Sequence, residues 1–169
     1  MDQLWSPWRM EYILGSKENG GCVFCHAYQE TNDKENLVLY RGNHAYVILN
    51  KYPYNTGHTL IIPYKHVPSY EDLEPKERAE MMELLNQMTH VLRVVYQPDA
   101  FNIGANIGTA AGAGIAPHVH FHILPRWSGD TNFLTTVTQT RVIPEELCDT
   151  YTKLLDSWKQ EYPYKTDKL

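Results

Sequence analysis

The sequence predicts an α+β domain in which an antiparallel meander sheet carries one long helix and a C-terminal helix. Short β-prone runs follow one another with turn-forming residues between them, and a long segment of helical periodicity interrupts the series. The segments lack the regular alternation of strand and helix that parallel βαβ units require. The 169 residues, of which 43% are hydrophobic, are enough for one core, so we expect a single domain over residues 1–169.

The N-terminal residues predict a short amphipathic helix. Residues 4–14 place aromatic and aliphatic side chains at helical spacing. Ser6 is a suitable N-cap, Pro7 fits the first turn, and Gly15 is a stop signal. We therefore expect a polar loop over residues 16–21 that leads into the first cysteine.

Three strands are predicted before the long helix. Residues 37–40 and 45–49 are β-prone runs separated by a turn, which indicates a hairpin. Residues 58–62 form the next strand, because turn-forming residues precede them and Pro63 follows them.

The helix predicted over residues 74–96 has Pro75 in its first turn and acidic residues near its start. Its apolar residues recur at intervals of three and four, which is typical of a helix with one buried face. They are Met81, Leu84, Leu85, Met88, Val91, Leu92 and Val95.

The last third of the chain predicts three strands and a helix. The strands are expected over residues 100–106, 119–124 and 135–143. Pro125 is expected to end the second of them. The C-terminal helix is expected to open at Pro144 and to run to about Trp158.

Charge and cysteine content exclude several classes of protein. The net charge of -5 and the isoelectric point near 5.9 argue against a nucleic-acid-binding surface. No apolar run of ~18 residues is present, so we expect no membrane span and a cytoplasmic location. The three cysteines are too few for a disulfide scaffold, and the pair Cys22 and Cys25 indicates either a metal site or redox-active thiols.

Three histidines occupy alternate positions of a predicted strand. Because side chains alternate along a strand, His118, His120 and His122 should share one face. The apolar residues between them should face the core, and they are Val119, Phe121 and Ile123. Three histidines in register after a glycine-rich loop favour a reactive site over an ordinary half-exposed strand. A zinc site is the main alternative, because His-x-His on a strand also binds zinc.

The pattern His-φ-His-φ-His-φ-φ at residues 118–124, with φ apolar, resembles the signature of the histidine triad (HIT) superfamily. Residues 57–63 are similar to a second conserved stretch of that family, and Cys22-x-x-Cys25 stands where its zinc-containing members place theirs. Residues 5–10 and 125–133 resemble the branch that contains diadenosine tetraphosphate phosphorylases and related dinucleoside polyphosphate hydrolases.

The resemblance implies a HIT-type fold, a homodimer and a set of catalytic residues. His120 would be the nucleophile, with its ring tautomer fixed by the backbone carbonyl of His118. His122 and His58 would flank the phosphate and donate hydrogen bonds to its oxygens.

The resemblance also implies substrate contacts. Asn50 matches the position that binds ribose hydroxyls in the family. The glycine-rich segment before the triad would supply backbone N–H groups to the phosphates, with Asn106 as a side-chain donor. Many relatives carry Gln and then Ser or Thr shortly before the triad, where this chain has Gly114 and Ile115. Arg126 is a further candidate for holding the distal phosphates.

A structural zinc ion is implied by the zinc-bearing members. Their ligands correspond here to Cys22, Cys25, His66 and His118, which together form a Cys₂His₂ set. Four protein ligands leave no open position, so the ion would stabilise the fold and take no part in catalysis.

The function implied is cleavage of dinucleoside polyphosphates, such as diadenosine tetraphosphate, through a nucleotidyl-histidine that phosphate or water resolves. The partner would be a small adenine nucleotide, with no nucleic acid and no membrane. The alternatives are a nucleoside phosphoramidase, a uridylyltransferase, or a nucleotide-binding module without catalysis. His122 counts against the uridylyltransferases, which usually carry glutamine there, and His120 counts against the binding module.

Overall fold

The computed structural model describes residues 21–130 and 143–163. The helix predicted over residues 4–14 lies outside the described residues, as does the strand predicted over residues 135–143 except for its last residue. The helices are α1 (Val23–Gln29), α2 (Pro75–Tyr96) and α3 (Leu147–Glu161), and the strands are β1 (Val38–Arg41), β2 (Ala45–Leu49), β3 (Thr59–Pro63), β4 (Ala100–Gly104) and β5 (Phe121–Arg126).

The five strands form one antiparallel sheet in the order β1-β2-β3-β5-β4. The predicted α+β class is confirmed. The order differs from a simple meander in one respect, because β5 inserts between β3 and β4 and leaves β4 at the edge. This insertion places the triad strand inside the sheet, beside the strand that follows His58.

Helix α2 has the boundaries that its sequence predicts to within one residue. Glu74 and Glu77 form a reciprocal capping box at its start, and Gln97 ends it in the left-handed conformation with φ of 46°. The buried side of the helix carries five of the seven apolar residues predicted for it, namely Met81, Leu84, Met88, Val91 and Leu92.

Two apolar clusters cover the two faces of the sheet. The larger cluster contains Val47 and Ile61 together with residues of α2 and α3, among them Trp158. The smaller cluster contains Tyr46 and Phe24, and it joins α1 to the opposite face. Because both faces are covered, every residue of β2 is buried. Each large side chain buried in this way stabilises the fold by about 1.5–3 kcal/mol.

Strand β5 runs from Phe121 to Arg126 and therefore passes through Pro125, which the sequence predicts as its end. Pro125 lies opposite Phe101 of β4, while its carbonyl accepts a hydrogen bond from Nδ2 of Asn55 on the β3 side. In an antiparallel strand the N and O atoms of one residue point to the same side. The missing N–H of Pro125 therefore faces away from β4, and the β4–β5 ladder loses no hydrogen bond there.

Other boundaries differ by one to three residues from those predicted, and β3 includes Pro63, which the sequence predicts to follow it. Strand β4 ends at Gly104, two residues before the predicted Asn106. Helix α3 begins at Leu147, with Glu146 as its N-cap, and continues to Glu161. Within the described part of the chain, no helix is both long and apolar enough to cross a membrane.

Candidate active site

The triad histidines line the face of the sheet that α1 covers. His122 lies within β5, while His118 and His120 precede the strand and keep its alternation, since Val119 and Ile123 lie in the larger core cluster. The N–H of Val119 donates to the carbonyl of Val67 at 2.8 Å and holds this segment beside the chain that leaves β3. His118 is wholly buried and His120 is 5% exposed.

The tautomer of His120 is fixed by the backbone. Its Nδ1 lies 3.0 Å from the main-chain carbonyl oxygen of His118. A carbonyl oxygen can only accept, so Nδ1 carries the proton and Nε2 carries the lone pair. Burial lowers the pKa of His120, and the hydrogen bond to His118 opposes that shift. His120 therefore presents a neutral imidazole with an available Nε2 lone pair, which is the form that acts as a nucleophile.

A second hydrogen-bond chain fixes the tautomer of His122. The main-chain N–H of Tyr54 donates to Nδ1 of His58 at 3.1 Å, so the proton of His58 is on Nε2. This Nε2–H donates to Nδ1 of His122 at 2.9 Å. His122 consequently carries its own proton on Nε2. Burial, together with the neighbouring His120, lowers the pKa of His122 to about 4, which keeps its ring neutral.

The geometry gives His58 an orienting role beside the phosphate contact that the sequence suggests. Its side chain is wholly buried, and both ring nitrogens have partners within the protein. Burial, then the nearby His122 and His120, strongly lower the pKa of His58. His58 therefore orients His122, and its direct contact with a phosphate stays a prediction.

Four metal-ligand side chains come together at the other end of the triad. They are Cys22, Cys25, His66 and His118, and their ligand atoms all lie within 4.8 Å of one another. Sγ of Cys22 is 3.3 Å from Nδ1 of His118, and Sγ of Cys25 is 3.2 Å from Nδ1 of His66. Nε2 of His118 donates to the carbonyl of Pro63 at 2.9 Å, which leaves its Nδ1 lone pair directed at the cysteines.

This Cys/His cluster fits a tetrahedral zinc ion. Bonds of about 2.3 Å to sulfur and about 2.1 Å to nitrogen would place neighbouring ligand atoms roughly 3.6 Å apart. The shortest sulfur–nitrogen separations here are 3.2 to 3.7 Å. Burial, then the neighbouring Cys22, raise the pKa of Cys25 to about 11, so a thiolate at Cys25 calls for a cation beside it.

A family model described as the HIT domain matches residues 31–129. The chain belongs to the HIT family. It is also similar to the AP-4-A phosphorylase of Mycobacterium tuberculosis, with 38% identity over 168 residues that cover 95% of this chain and 86% of that protein.

Two further HIT relatives bear on the site. An asymmetrical bis(5'-nucleosyl)-tetraphosphatase of Schizosaccharomyces pombe is 37% identical over 93 residues, which cover 55% of this chain and 50% of that protein. A zinc-bound histidine triad protein of Mycobacterium smegmatis has a similar crystal structure, with a TM-score of 0.68 and 28% identity over 83% of this chain and 95% of the other.

Asn50, the predicted ribose ligand of the HIT site, lies beside His58. Its Oδ1 accepts the main-chain N–H of Tyr52 at 3.0 Å, which turns its amide nitrogen toward His58, 3.2 Å from Nδ1. Asn50 thus helps to hold the ring of His58 in place. Its contact with ribose stays a prediction.

The loop before the HIT triad contains the other predicted substrate contacts. Asn106 and Ile115 are half-buried and Gly114 is exposed. Ile115 packs against the smaller core cluster, and its carbonyl accepts the N–H of His118 at 3.2 Å. This bond directs the chain into the triad, and the phosphate contacts of the three residues stay predictions.

The guanidinium of Arg126 is hydrogen-bonded to two side chains of the protein. Its Nε and Nη2 donate to the two carboxylate oxygens of Asp130 at 2.6 and 2.8 Å, and its Nη1 donates to Oδ1 of Asn102 at 2.7 Å. These bonds hold the guanidinium in place, and a contact of Arg126 with the distal phosphates stays a prediction.

The sequence reasoning missed two aromatic residues at the site. The ring of Phe24 lies 4.8 Å from that of His120 and 5.5 Å from that of His118. The ring of Tyr54 lies 4.6 Å from that of His58 and 5.9 Å from that of His122. Phe24 stands between the two paired cysteines in the sequence, which was an available signal, whereas nothing in the sequence pairs Tyr54 with His122.

Proposed function

We propose that this HIT enzyme cleaves dinucleoside polyphosphates, with diadenosine tetraphosphate as the representative substrate, at an α-phosphate through a nucleotidyl-histidine on His120. The observation that carries the proposal is the fixed tautomer of His120, whose Nδ1–H is bonded to the carbonyl of His118. The similarity to an AP-4-A phosphorylase and to a bis(5'-nucleosyl)-tetraphosphatase supports the substrate class.

In the first step the Nε2 lone pair of His120 attacks the α-phosphorus. The new N–P bond forms as the P–O bond to the β-phosphate breaks, so the electron pair leaves on the departing nucleotide, which is ATP for diadenosine tetraphosphate. The Nε2–H of His122 donates to a non-bridging oxygen of the α-phosphate and stabilises its charge in the transition state. The Nδ1–H of His120 stays on the carbonyl of His118, which delocalises the positive charge of the phosphorylated ring.

In the second step an acceptor oxygen attacks the same phosphorus and breaks the N–P bond, which restores the lone pair of His120. Phosphate as the acceptor gives ADP, and water gives AMP. The covalent intermediate divides one difficult displacement into two easier ones.

We also propose that Cys22, Cys25, His66 and His118 hold a structural zinc ion. The fit of their separations to a tetrahedral site supports this, as does the similarity to a zinc-bound HIT protein. The ion would cross-link α1 to the segment that carries the triad. Because the two thiol ligands need to stay reduced, the proposal includes a cytoplasmic location.

A homodimer completes the proposal, with β4 and α2 as the paired surfaces. Strand β4 lies at the edge of the described sheet, and an edge strand offers unpaired backbone groups to a second chain. Ile103 of β4 is 44% exposed and Val94 of α2 is 46% exposed. Light scattering during size-exclusion chromatography would test it, and a monomer at micromolar concentration would contradict it.

The activity is tested by incubation with diadenosine tetraphosphate, with and without inorganic phosphate. ADP plus ATP indicates phosphorolysis, AMP plus ATP indicates hydrolysis, and no product from the wild type contradicts the proposal. His120→Ala should abolish turnover and retain binding, and α-phosphate label should appear on the wild-type protein but not on this variant. His90→Ala is the matched control, because His90 lies on α2, pairs with Glu161 of α3 and is not part of the triad. Turnover that survives in His120→Ala would overturn the nucleophile assignment.

A further inference from the structure

Gly104 stands directly opposite His122 in the β4–β5 ladder. Directly opposed residues of an antiparallel pair project to the same face, with Cβ atoms about 4.5–5.5 Å apart. A Cβ built on Gly104 would meet no heavy atom of the described residues within 4 Å, and the backbone there is not in the left-handed region. Neither packing nor conformation therefore requires glycine at this position, although glycine weakens a strand.

Other glycines of the chain have a reason within the fold. Gly57 has φ of +74°, and a Cβ there would lie 3.0 Å from Leu92. A Cβ on Gly42 would lie 2.7 Å from a carboxylate oxygen of Glu80, which accepts hydrogen bonds from the turn between β1 and β2. Gly104 differs from both, since no atom in the part of the chain that the structure describes lies within 4 Å of its Cβ position, which adjoins His122 of the active site.

The surroundings of His122 indicate where a long substrate continues beyond its α-phosphate. On the β3 side, the rings of His58 and Tyr54 pack against His122. Toward the start of the triad, Phe24 packs on His120. Among the described residues, the face beside His122 is open on the β4 side, above Gly104.

Asn102 lies two residues from Gly104, on the same face of β4, and is exposed. Its Oδ1 accepts from Nη1 of Arg126, and because guanidinium nitrogens only donate, the amide nitrogen of Asn102 faces the other way. Asp130 holds that guanidinium with two further bonds. The donor group of Asn102 is thus oriented in advance beside the open space.

We propose that Gly104 is a specificity-determining residue that keeps open the path by which the distal polyphosphate and the second nucleoside leave His122. Asn102 donates to an oxygen of the distal phosphates along this path, and Arg126 and Asp130 position it. The inference rests on the proposed function, and it assigns the leaving half of the substrate to the surface of β4.

The test compares a short and a long ligand on Gly104→Ala and Gly104→Val. AMP ends at the α-phosphate, whereas a methylene-bridged, non-hydrolysable analogue of diadenosine tetraphosphate continues beyond it. Calorimetry should show an unchanged Kd for AMP, and a Kd for the analogue that rises with side-chain volume to about tenfold or more in Gly104→Val. Asn102→Ala should raise the Kd of the analogue by roughly tenfold and leave that of AMP unchanged. Ile103→Val is the control, because Ile103 pairs with Ile123 on the other face of the sheet.

Each outcome bears on one proposal. A wild type that binds neither ligand and turns over no dinucleotide refutes the proposed function. If the wild type is active and Gly104→Val weakens the binding of both ligands equally, or of neither, only the assignment of Gly104 is refuted. Thermal unfolding and size-exclusion profiles of the variants separate a local effect from a lost fold or a changed assembly. An equal loss of affinity for both ligands, together with a changed oligomeric state, also counts against the specificity role of Gly104.

Discussion

The main-chain carbonyl of His118 accepts the Nδ1–H of His120 at 3.0 Å, while the ring of His118 lies in the Cys/His cluster, 3.3 Å from Sγ of Cys22. One residue therefore belongs to both sites. Its backbone fixes the tautomer of the proposed nucleophile, and its side chain completes the proposed zinc site. Any change that moves His118 changes both.

Cys22→Ser should remove the metal and lower activity together. A serine hydroxyl is a poor zinc ligand, so metal analysis should fall from one zinc ion per chain to nearly none. The free energy of unfolding should fall by several kcal/mol, because metal binding contributes directly to folding. Cys148→Ser is the control, since Cys148 is exposed on α3 and stands outside the cluster. A stable Cys22→Ser protein with full zinc and full activity would contradict the assignment.

Phe24→Leu should lower kcat more than it raises KM. The ring of Phe24 packs on His120, and its main-chain carbonyl accepts the hydroxyl of the buried Tyr46 at 2.8 Å. A smaller side chain lets the nucleophile move, and a misplacement of about 1 Å can reduce a rate by about a hundredfold. Steady-state kinetics together with zinc analysis would check this, with zinc expected to stay bound.

Val23→Ala is the matched control for Phe24→Leu, because Val23 is the other residue between the two cysteines. It should alter kcat by less than about twofold. Equal losses in the two variants would indicate a general loosening of α1 instead of a contact with His120.

Much of this fold is predictable, because its signals are local. The capping residues and apolar spacing of α2 are contained in one continuous segment, and the alternation around Val119 and Ile123 places the histidines on the opposite face. The end of strand β5 is harder to predict. Pro125 is tolerated within the strand because its carbonyl points toward Asn55 and away from β4, and no local sequence pattern indicates this arrangement.

The sequence predicts which residues belong to the site, but it does not predict the role of each one. The spacing of the triad indicates which histidines are present, whereas the hydrogen bond from Tyr54 to His58 depends on how the turn before β3 closes. The partners of Arg126 are likewise not indicated by the sequence pattern. Its partner Asp130 is four residues away on a turn, and that pairing decides whether a guanidinium is available to a ligand.

Acidification should destabilise the protein, and His122 should contribute to the loss. The pKa of His122 is about 4 in the folded chain and 6.5 in its ordinary state, so the unfolded chain takes up the proton first. Stability should therefore be constant above about pH 6.5 and fall as the pH drops toward about 4, by on the order of 2 kcal/mol from this residue.

Urea unfolding at about pH 7 and about pH 4.5 would measure the effect. His122→Gln should reduce the difference between the two conditions. His26→Gln is the matched control, because the His26 side chain is 67% exposed on α1 and lies outside the triad. An equal difference in wild type and His122→Gln would assign the acid sensitivity to other groups.

Replacement of His58 should separate its orienting role from direct contact with the substrate. His58→Phe keeps a ring in the buried space but removes the Nε2–H that donates to Nδ1 of His122. His122 can then adopt the tautomer that no longer donates to the phosphate, so kcat should fall about tenfold to a hundredfold with a smaller change in KM.

His58→Gln provides the rescue, because its side-chain amide can donate to His122 again and should recover part of kcat. Nitrogen NMR of the imidazoles should show the proton of His122 on Nε2 in the wild type and a mixture of tautomers in His58→Phe. If His58→Phe retained the kcat of the wild type, or if His122 kept a single tautomer in it, the hydrogen bond between the two rings would have no part in catalysis. The expected pattern, loss with Phe and partial recovery with Gln, requires that His58 act through His122 and not on the substrate.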